Sequence, residues 1–188
     1  MATQGKRGDI RRRLSQPRIK MALRASFLKV IAIAFLLLPM EMAQAASGQW
    51  LTERDPDFGF TFSYPKPLFG ALEGDDKPSF YYFASQQSDA KFLVGAWDNR
   101  AGQTPENFKR WLVANAGGYD EVTYRPRGRN WFVLSGYRGE QIYYEKVMFS
   151  CSGSVVNVFA ISYPVAERNV FDPVVERMED LFTPTRRC

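Results

Sequence analysis

From residue 58 onward, hydrophobic and polar positions alternate with a period of two along much of the chain. The stretch FGFTFSYP places Phe58, Phe60, Phe62 and Tyr64 on one face, and Pro65 ends it. Such alternation is typical of a half-buried β-strand. The further segments of strand character are FYYFAS (80–85), KFLVGAWD (91–98), EVTYR (121–125), NWFVLSGYR (130–138), QIYYEKVMFSC (141–151) and SVVNVFAISYP (154–164). The pattern therefore predicts a domain built mainly of strands.

One helix is predicted between the segments KFLVGAWD and EVTYR. It begins at TPEN, where Thr104 can cap the helix and Pro105 fits the first helical position. Gly117 and Gly118 then end it. The apolar stripe of this helix consists of Phe108, Trp111 and Leu112.

A closing helix is predicted from about Asp172, as its cap, with Pro173 at the first position, to Phe182. Its apolar positions recur at spacings of three and four, so that one face is apolar throughout: Phe171, Val174, Val175, Met178, Leu181 and Phe182. Consecutive strands with one helix inserted and one helix at the end indicate an α+β domain. We expect a largely antiparallel sheet flanked by helices.

The first 45 residues have the pattern of a secretory signal peptide. A basic segment precedes the apolar run VIAIAFLLL (30–38), and the small residues AQAAS follow. We predict cleavage between Ala45 and Ala46. The run ends before Glu41, well short of the roughly 20 apolar residues that span a membrane, although an uncleaved anchor is the alternative. Met21 offers a second start that leaves a signal of ordinary length.

The predicted organisation is therefore a basic extension and signal peptide in 1–45 and a single α+β domain in 46–188. We expect the mature domain to be periplasmic or secreted and to meet the membrane only transiently, through the signal peptide. Of the 25 Lys+Arg and 20 Asp+Glu in the chain, residues 1–45 hold 9 and 2, which leaves 16 and 18. The high pI belongs to the leader, so we expect no nucleic-acid binding. The one basic cluster, RPRGR (125–129), is either a solvated turn or an anion site.

Only two cysteines are present, Cys151 and Cys188, the last residue. With a turn at Ser152-Gly153, Phe149 pairs with Val156, and alternation places Cys151 on the same apolar face, which is suited to carry the closing helix. The residues after that helix can span the distance back to the turn. We therefore predict a Cys151–Cys188 disulfide, which an oxidising compartment favours. The alternative is a buried Cys151 with a frayed Cys188 that is free or joined to another chain.

The sequence contains no histidine, which excludes Ser-His-Asp and Cys-His catalysis and histidine-containing zinc sites. No phosphate-binding or nucleophile motif is found either. One pair of carboxylates is a candidate for acid–base chemistry, Glu140 and Glu145, but alternation directs these two side chains to opposite faces of a strand. The candidate calcium ligands lack the spacing of a known calcium-binding loop; they are Asp55, Asp57, Asp75 and Asp76. We expect no catalytic residue, no cofactor and no metal.

Aromatic side chains are the most distinctive resource of the domain. They are numerous enough to line an apolar cleft, with tyrosine hydroxyls to orient a ligand. The alternative is that they fill the core between sheet and helices, because aromatic residues are favoured in strands. The candidate pocket residues are Tyr81, Tyr82, Trp97, Trp131 and Tyr143.

Three segments carry a family resemblance that covers roughly residues 55 to 184. GFTFSYPKPLF resembles the opening of PsbP-like domains, VFAISYPVAERNVFDPVVERMEDLFTP resembles their last strand, capped helix and terminal segment, and LSGYRGEQIYYEKVMF is similar to an internal strand pair. The chain also resembles secreted proteins of this type from Gram-negative bacteria. The resemblance implies an antiparallel sheet between helices, in a family whose members often act as non-catalytic binding or assembly factors. Histidines that bind metal in some relatives have no counterpart here.

The expected function is a periplasmic, non-catalytic protein that binds a protein partner or another envelope component. A carrier of small apolar ligands with an aromatic pocket is the first alternative. A hydrolase that uses carboxylates alone is the second, and it requires two acidic groups at a suitable separation in one pocket.

Overall fold

The structure is a computed structural model, and it describes residues 48–72, 77–116, 118–186 and 188. The predicted leader, its cleavage site at Ala45 and Ala46, and the acidic pair Asp75 and Asp76 lie outside the described residues. In chain order the elements are β1 (Trp50–Arg54), β2 (Thr61–Pro65), β3 (Phe69–Ala71), β4 (Phe80–Ser85), β5 (Lys91–Asp98), α1 (Pro105–Trp111), β6 (Glu121–Tyr124), β7 (Trp131–Arg138), β8 (Gln141–Ser150), β9 (Val155–Pro164) and α2 (Arg168–Asp180). A π-helical stretch, Leu112–Ala116, continues α1.

Seven strands form one sheet in the order β3-β4-β5-β9-β8-β7-β6, and β1 and β2 form a separate hairpin. Every pairing is antiparallel. The predicted α+β class with a largely antiparallel sheet is thus confirmed. The strands β1 and β3 were not predicted, because β3 has only three residues and β1 (WLTER) carries little alternation.

One face of the sheet, called here the α2 face, is covered by α2 and by the β1–β2 hairpin. Phe92 and Phe159 of the sheet are buried there against Phe62 of β2 and Phe171 of α2. The alternation of Phe60, Phe62 and Tyr64 buries these rings together, as the pattern predicts, and Phe58 packs at the margin of the same core. The hydrophobic effect of these large rings holds hairpin, helix and sheet together.

The opposite face, called here the α1 face, carries α1. Thr104 caps the helix by accepting a hydrogen bond from the Asn107 backbone N–H at 3.2 Å, which confirms the predicted start. Phe108 and Leu112 are buried against the sheet residues Phe132, Leu134, Val147, Phe149, Val156 and Val158. The prediction that Trp111 belongs to the buried stripe is wrong, since Trp111 is 47% exposed and stacks on Phe108 from outside.

The closing helix begins one turn earlier than predicted. It starts at Arg168, and Pro173 lies inside it. Asp172 does not cap the helix, because its carboxylate accepts hydrogen bonds from the Tyr163 hydroxyl at 2.8 Å and from Arg168. The predicted apolar stripe is buried except for Leu181, which is 40% exposed. Among the residues that the structure describes, neither this helix nor any other has the length and apolar character needed to cross a membrane.

The predicted disulfide is present, with Cys151 Sγ and Cys188 Sγ 2.10 Å apart. The predicted pairing of Phe149 with Val156 is also confirmed. The face assigned to Cys151 is wrong, however. Cys151 and Ser152 have φ values of 52° and 56°, so the chain leaves the extended conformation at the turn and strand alternation no longer applies. Cys151 therefore packs against the core of the α2 face, where the closing helix lies. The prediction that the face of Phe149 and Val156 carries the closing helix is also wrong, because that face packs against α1.

The basic stretch RPRGR forms the loop between β6 and β7, as the turn interpretation predicts. Two backbone hydrogen bonds close it, from Gly128 N–H to the Trp131 carbonyl at 2.9 Å and from Val133 N–H to the Pro126 carbonyl at 3.0 Å. Arg127 forms an ion pair with Glu106 of α1, with Nη1 and Oε2 2.9 Å apart. This arginine therefore ties the loop to α1.

Candidate binding cleft

Helix α1 covers only part of its face of the sheet and leaves a cleft beside it. Strand register explains how the cleft is formed, because residues paired across strands share one face. Two neighbouring rows of the α1 face are not covered by α1. Tyr82, Leu93, Ala160 and Glu145 form one row, and Ala84, Lys91, Ser162 and Tyr143 form the other. The small side chains Ala160 and Ser162 lie on the central strand β9 and form the floor. The larger side chains on both sides form the walls.

The segment between α1 and β6 and the end of β7 complete one wall. The Tyr119 ring meets the Tyr143 ring edge to face, with centroids 5.5 Å apart. The Arg138 guanidinium lies 4.2 Å above the Tyr143 ring, and its Nε donates a hydrogen bond to the Gly118 carbonyl at 3.0 Å. These contacts fix the arginine at the rim. The open volume between these walls, called here the apolar half of the cleft, is about 320 Å³.

A second cavity of about 580 Å³ adjoins the first and shares Leu72, Lys91, Arg138, Tyr143 and Ser162 with it. This volume, called here the polar half, extends towards the β4–β5 turn, and its further lining includes Ser85, Ser88, Asp89 and Gln141. The two halves together make an amphipathic cleft. Volumes of this size are typical of small-molecule sites, which combine an apolar lining with a few polar groups.

Glu145 is the one carboxylate that lines the apolar half within the described part of the chain. The Tyr119 hydroxyl donates a hydrogen bond to its Oε2 at 2.7 Å. Burial raises the pKa of Glu145, and the hydrogen bond from Tyr119 and the charge of Arg138 act in the opposite direction. The pKa of Tyr119 is raised by burial and by the neighbouring Glu145. The hydrogen bond orients both side chains against the floor.

Two buried polar atoms of the cleft, Tyr143 Oη and Gln141 Oε1, have no hydrogen-bond partner among the described residues. Buried polar atoms are satisfied in nearly all native structures, because an unmade hydrogen bond costs about 1–3 kcal/mol. Tyr143 and Gln141 lie two positions apart on β8, so alternation directs both towards the same face. Burial also raises the pKa of the Tyr143 hydroxyl, which therefore stays protonated and available as a donor.

Of the five aromatic residues predicted for a pocket, the structure brings Tyr82 and Tyr143 together in the cleft and places the other three elsewhere. Tyr81 is adjacent to Tyr82 on its strand and therefore lies on the α2 face, where its hydroxyl donates to Asp55 Oδ2 at 3.1 Å. Burial and this contact raise the pKa of Tyr81 to about 12. Trp97 lies under α1, with its ring 5.8 Å from Phe108, and Trp131 lies at the start of β7, where Lys146 Nζ is 6.0 Å from its ring.

The cleft residues that sequence analysis did not identify include Leu72, Lys91, Leu93, Tyr119, Arg138, Ala160 and Ser162. Alternation assigns Lys91 and Leu93 to one face of β5, and the β4–β5 register places Tyr82 on that face. What the sequence does not reveal is that β9 lies between β5 and β8 and brings these residues close to Tyr143.

The other described carboxylates that the sequence singled out, Asp55, Asp57 and Glu140, have structural roles or lie away from the cleft. Asp55 is buried and accepts a hydrogen bond from the Phe58 backbone N–H at 2.6 Å, and Asp57 accepts one from Ser79. Glu140 is exposed in the turn before β8 and does not line the cleft. Within the described ranges, no three acidic or cysteine side chains come together as metal ligands.

No family model matches the sequence, and no curated protein matches it. Solved structures do match. The solution structure of cyanobacterial PsbP (CyanoP) from Synechocystis sp. PCC 6803 is 12% identical and has a TM-score of 0.54, with 73% of this chain and 93% of that chain covered. The crystal structure of the Saccharomyces cerevisiae Ran-binding protein Mog1p is 9% identical and has a TM-score of 0.53, with coverage of 73% and 96%. The chain therefore has a PsbP-like fold, and at these identities the likeness concerns the fold alone.

Proposed function

We propose that the protein is exported to an oxidising compartment of the cell envelope, where it acts as a non-catalytic binding protein. Two observations support export: the leader pattern of residues 1–45 and the Cys151–Cys188 disulfide, a bond typical of exported proteins. Expression of the full chain in a Gram-negative host, followed by fractionation and intact mass measurement, tests this part. We expect a periplasmic chain that begins at Ala46. A cytoplasmic chain of full length would contradict the proposal.

We further propose that the site of binding is the cleft and that its ligand is a small molecule with an apolar body. The observation that carries this proposal is the cleft itself, with aromatic walls, a floor of small side chains and an unpartnered tyrosine hydroxyl. The PsbP-like fold agrees with a binding role only by analogy. The apolar half contains one carboxylate rather than the pair that a carboxylate-only hydrolase needs, so we do not propose hydrolysis.

A neutral probe, naphthalene-2-sulfonamide, tests the cleft by isothermal titration calorimetry. Its ring system suits the apolar half. At about 0.3 kcal/mol for each of roughly 14 non-hydrogen atoms, its binding free energy is about 4 kcal/mol, which corresponds to a Kd near 1 mM.

A variant in which a large side chain fills the apolar half above the floor shows whether the probe binds in the cleft. Ala160→Phe places a ring in the apolar half, and Val113→Phe adds the same ring at an exposed position of the π-helical stretch. We expect binding to the wild type and to Val113→Phe, and at least tenfold weaker binding to Ala160→Phe. Circular dichroism and urea unfolding establish that the filled variant is folded. Equal binding to all three proteins would contradict the cleft as the site, and no binding to any of them would contradict a small apolar ligand.

A protein partner is the second candidate, favoured by the structural likeness to Mog1p, a Ran-binding protein. In this case a side chain of the partner would occupy the cleft. Chemical crosslinking in the envelope with wild type and Ala160→Phe distinguishes this candidate. A partner lost only in the filled variant would support it, and identical crosslinks would place the partner elsewhere.

A further inference from the structure

Two basic side chains lie where the apolar and polar halves of the cleft meet. Lys91 is directly opposite Ser162, which is opposite Tyr143, and Arg138 lies over the Tyr143 ring. Neither Lys91 nor Arg138 belongs to any ion pair among the described residues. Both cations line both halves. The junction therefore presents two positive charges without a direct ion pair among the described residues, although Arg138 also acts electrostatically on Glu145.

The Tyr143 hydroxyl lies in the same row and adds a hydrogen-bond donor that is buried and unused. Arg138 occupies one face of its ring, so the ring is held in place, while the hydroxyl has no hydrogen-bond partner in the part of the chain that the structure describes. A fixed hydrogen-bond donor beside two cations complements an anion, because hydrogen bonds to a charged group are stronger than hydrogen bonds between neutral groups.

Two acidic residues also belong to the cleft and limit where an anion can bind. Glu145 lies one row away from Tyr143, in the apolar half, and its carboxylate accepts the hydrogen bond from Tyr119. Asp89 is exposed in the β4–β5 turn, two residues before Lys91, and lines the polar half. The positive junction thus lies between them, and an anionic group is best placed at the junction itself, with an apolar body over the small floor.

We propose that the cleft recognises an amphipathic organic anion, with its acidic group at Lys91, Arg138 and the Tyr143 hydroxyl and its apolar body between Tyr82, Leu93 and Ala160. The inference rests on the proposed binding function and specifies the chemical class of the ligand. The apolar body supplies the affinity for the walls, and the acidic group supplies the selectivity.

A matched pair of probes tests the inference. Naphthalene-2-sulfonate is charged, whereas naphthalene-2-sulfonamide has nearly the same shape and is neutral. We expect the sulfonate to bind about tenfold more tightly, a ratio typical of one charge-assisted contact. We also expect its affinity to fall with added NaCl, because salt screens charges at a partly exposed junction. The sulfonamide affinity should not depend on salt in this way.

Two variants locate the anion. Lys91→Met keeps the length of the side chain and removes its charge. Because Lys91 also lines the apolar half, we expect the variant to weaken sulfonate binding severalfold more than it weakens sulfonamide binding. Lys66→Met, at an exposed position of the β2–β3 turn, is the matched control. Tyr143→Phe removes the unpartnered hydroxyl, so it should weaken sulfonate binding without lowering stability, and urea unfolding provides that second measurement.

The outcomes separate the inference from the function on which it rests. Equal affinity for sulfonate and sulfonamide would overturn the anion inference and leave the cleft as a neutral apolar site. Tighter sulfonate binding that is unaffected by both Lys91→Met and Tyr143→Phe would overturn the assignment of the junction. Absence of binding by either probe would overturn the proposed function itself. The inference is supported only if the sulfonate is preferred and both variants reduce that preference.

Discussion

Asn157 connects the C-terminal segment to the sheet, and its replacement by alanine measures how much that connection contributes to stability. The side chain is completely buried on the α2 face of β9. Its Nδ2 donates hydrogen bonds to the Met148 carbonyl at 3.2 Å and to Ser150 Oγ at 2.9 Å. Its Oδ1 accepts from the backbone N–H and the hydroxyl of Thr185, at 2.8 Å and 2.7 Å. One amide group thus joins the end of the chain to two strands.

The magnitude follows from the groups that Asn157→Ala leaves without a partner. Thr185 is also buried, so its N–H and hydroxyl cannot turn to water, and the Met148 carbonyl loses its side-chain donor. At about 1–3 kcal/mol for a buried unsatisfied group and about 1 kcal/mol for each lost bond, we expect a loss of about 3–5 kcal/mol. That is a large fraction of the stability of a typical domain, about 5–15 kcal/mol.

Urea unfolding followed by circular dichroism, with the disulfide intact, provides the measurement. With an m-value of about 2 kcal/mol/M, the midpoint should fall by roughly 2 M. Asn115→Ala is the control, because Asn115 is exposed on the π-helical stretch and its one hydrogen bond to a described residue is donated to the Trp111 carbonyl. Its effect should stay within about 0.5 kcal/mol. A loss of less than about 1 kcal/mol for Asn157→Ala would refute the reasoning.

Three other predictions concern the bridge, one glycine and one carboxylate. Replacing Cys151 and Cys188 by serine should lower the free energy of unfolding by about 4 kcal/mol relative to the oxidised wild type, and the difference should vanish when both proteins are unfolded in reductant; a persistent difference would argue against the bridge as its source. Gly136→Ala should destabilise the domain by about 1–3 kcal/mol, because the added Cβ would lie 1.8 Å from the Glu121 carbonyl oxygen. Gly70→Ala should be tolerated, because the atom nearest to its Cβ, Gln86 Nε2, is 3.7 Å away. Equal urea midpoints for the two variants would contradict this. The pKa of Glu145 is raised in the folded state. Its contribution to the free energy of unfolding is therefore fully present below the ordinary glutamate pKa of about 4.3 and is lost as the pH rises through the folded-state pKa. The glutamine of Glu145→Gln cannot titrate, so the variant should gain stability relative to the wild type as the pH rises. If the difference in free energy of unfolding between the two proteins stays constant from pH 4 to 8, that effect is excluded.

Local patterns predicted most of the fold because the strands are strongly periodic and the turns are clearly marked. The limits of β4 and β5 agree with FYYFAS and KFLVGAWD, and the register of the β8–β9 hairpin follows from the turn at Ser152-Gly153. Errors occurred where tertiary contacts outweigh local preference. Asp172 has the chemistry of a cap, yet Tyr163 and Arg168 bind its carboxylate, and the helix extends one turn further back.

The candidate site could be predicted from the sequence less completely than the fold. Alternation separates Tyr81 from Tyr82 and thereby shows that no single pocket contains both, but it cannot show which face remains uncovered. That depends on the length of α1, which covers Val147 and Val158 and leaves Ala160 open. The partial covering of one face by a short helix is a property of the assembled domain, and only the structure reveals it.

The central claim is that the cleft holds a ligand in the envelope, and native mass spectrometry tests it most directly. The full chain is exported in a Gram-negative host, purified from the periplasm without reductant, and compared with Ala160→Phe prepared in the same way. The account predicts a disulfide-bonded chain with a small non-covalent adduct that denaturation releases and that the filled variant lacks. An adduct-free wild type that also binds neither naphthalene probe, or an adduct equally present on Ala160→Phe, would contradict the claim.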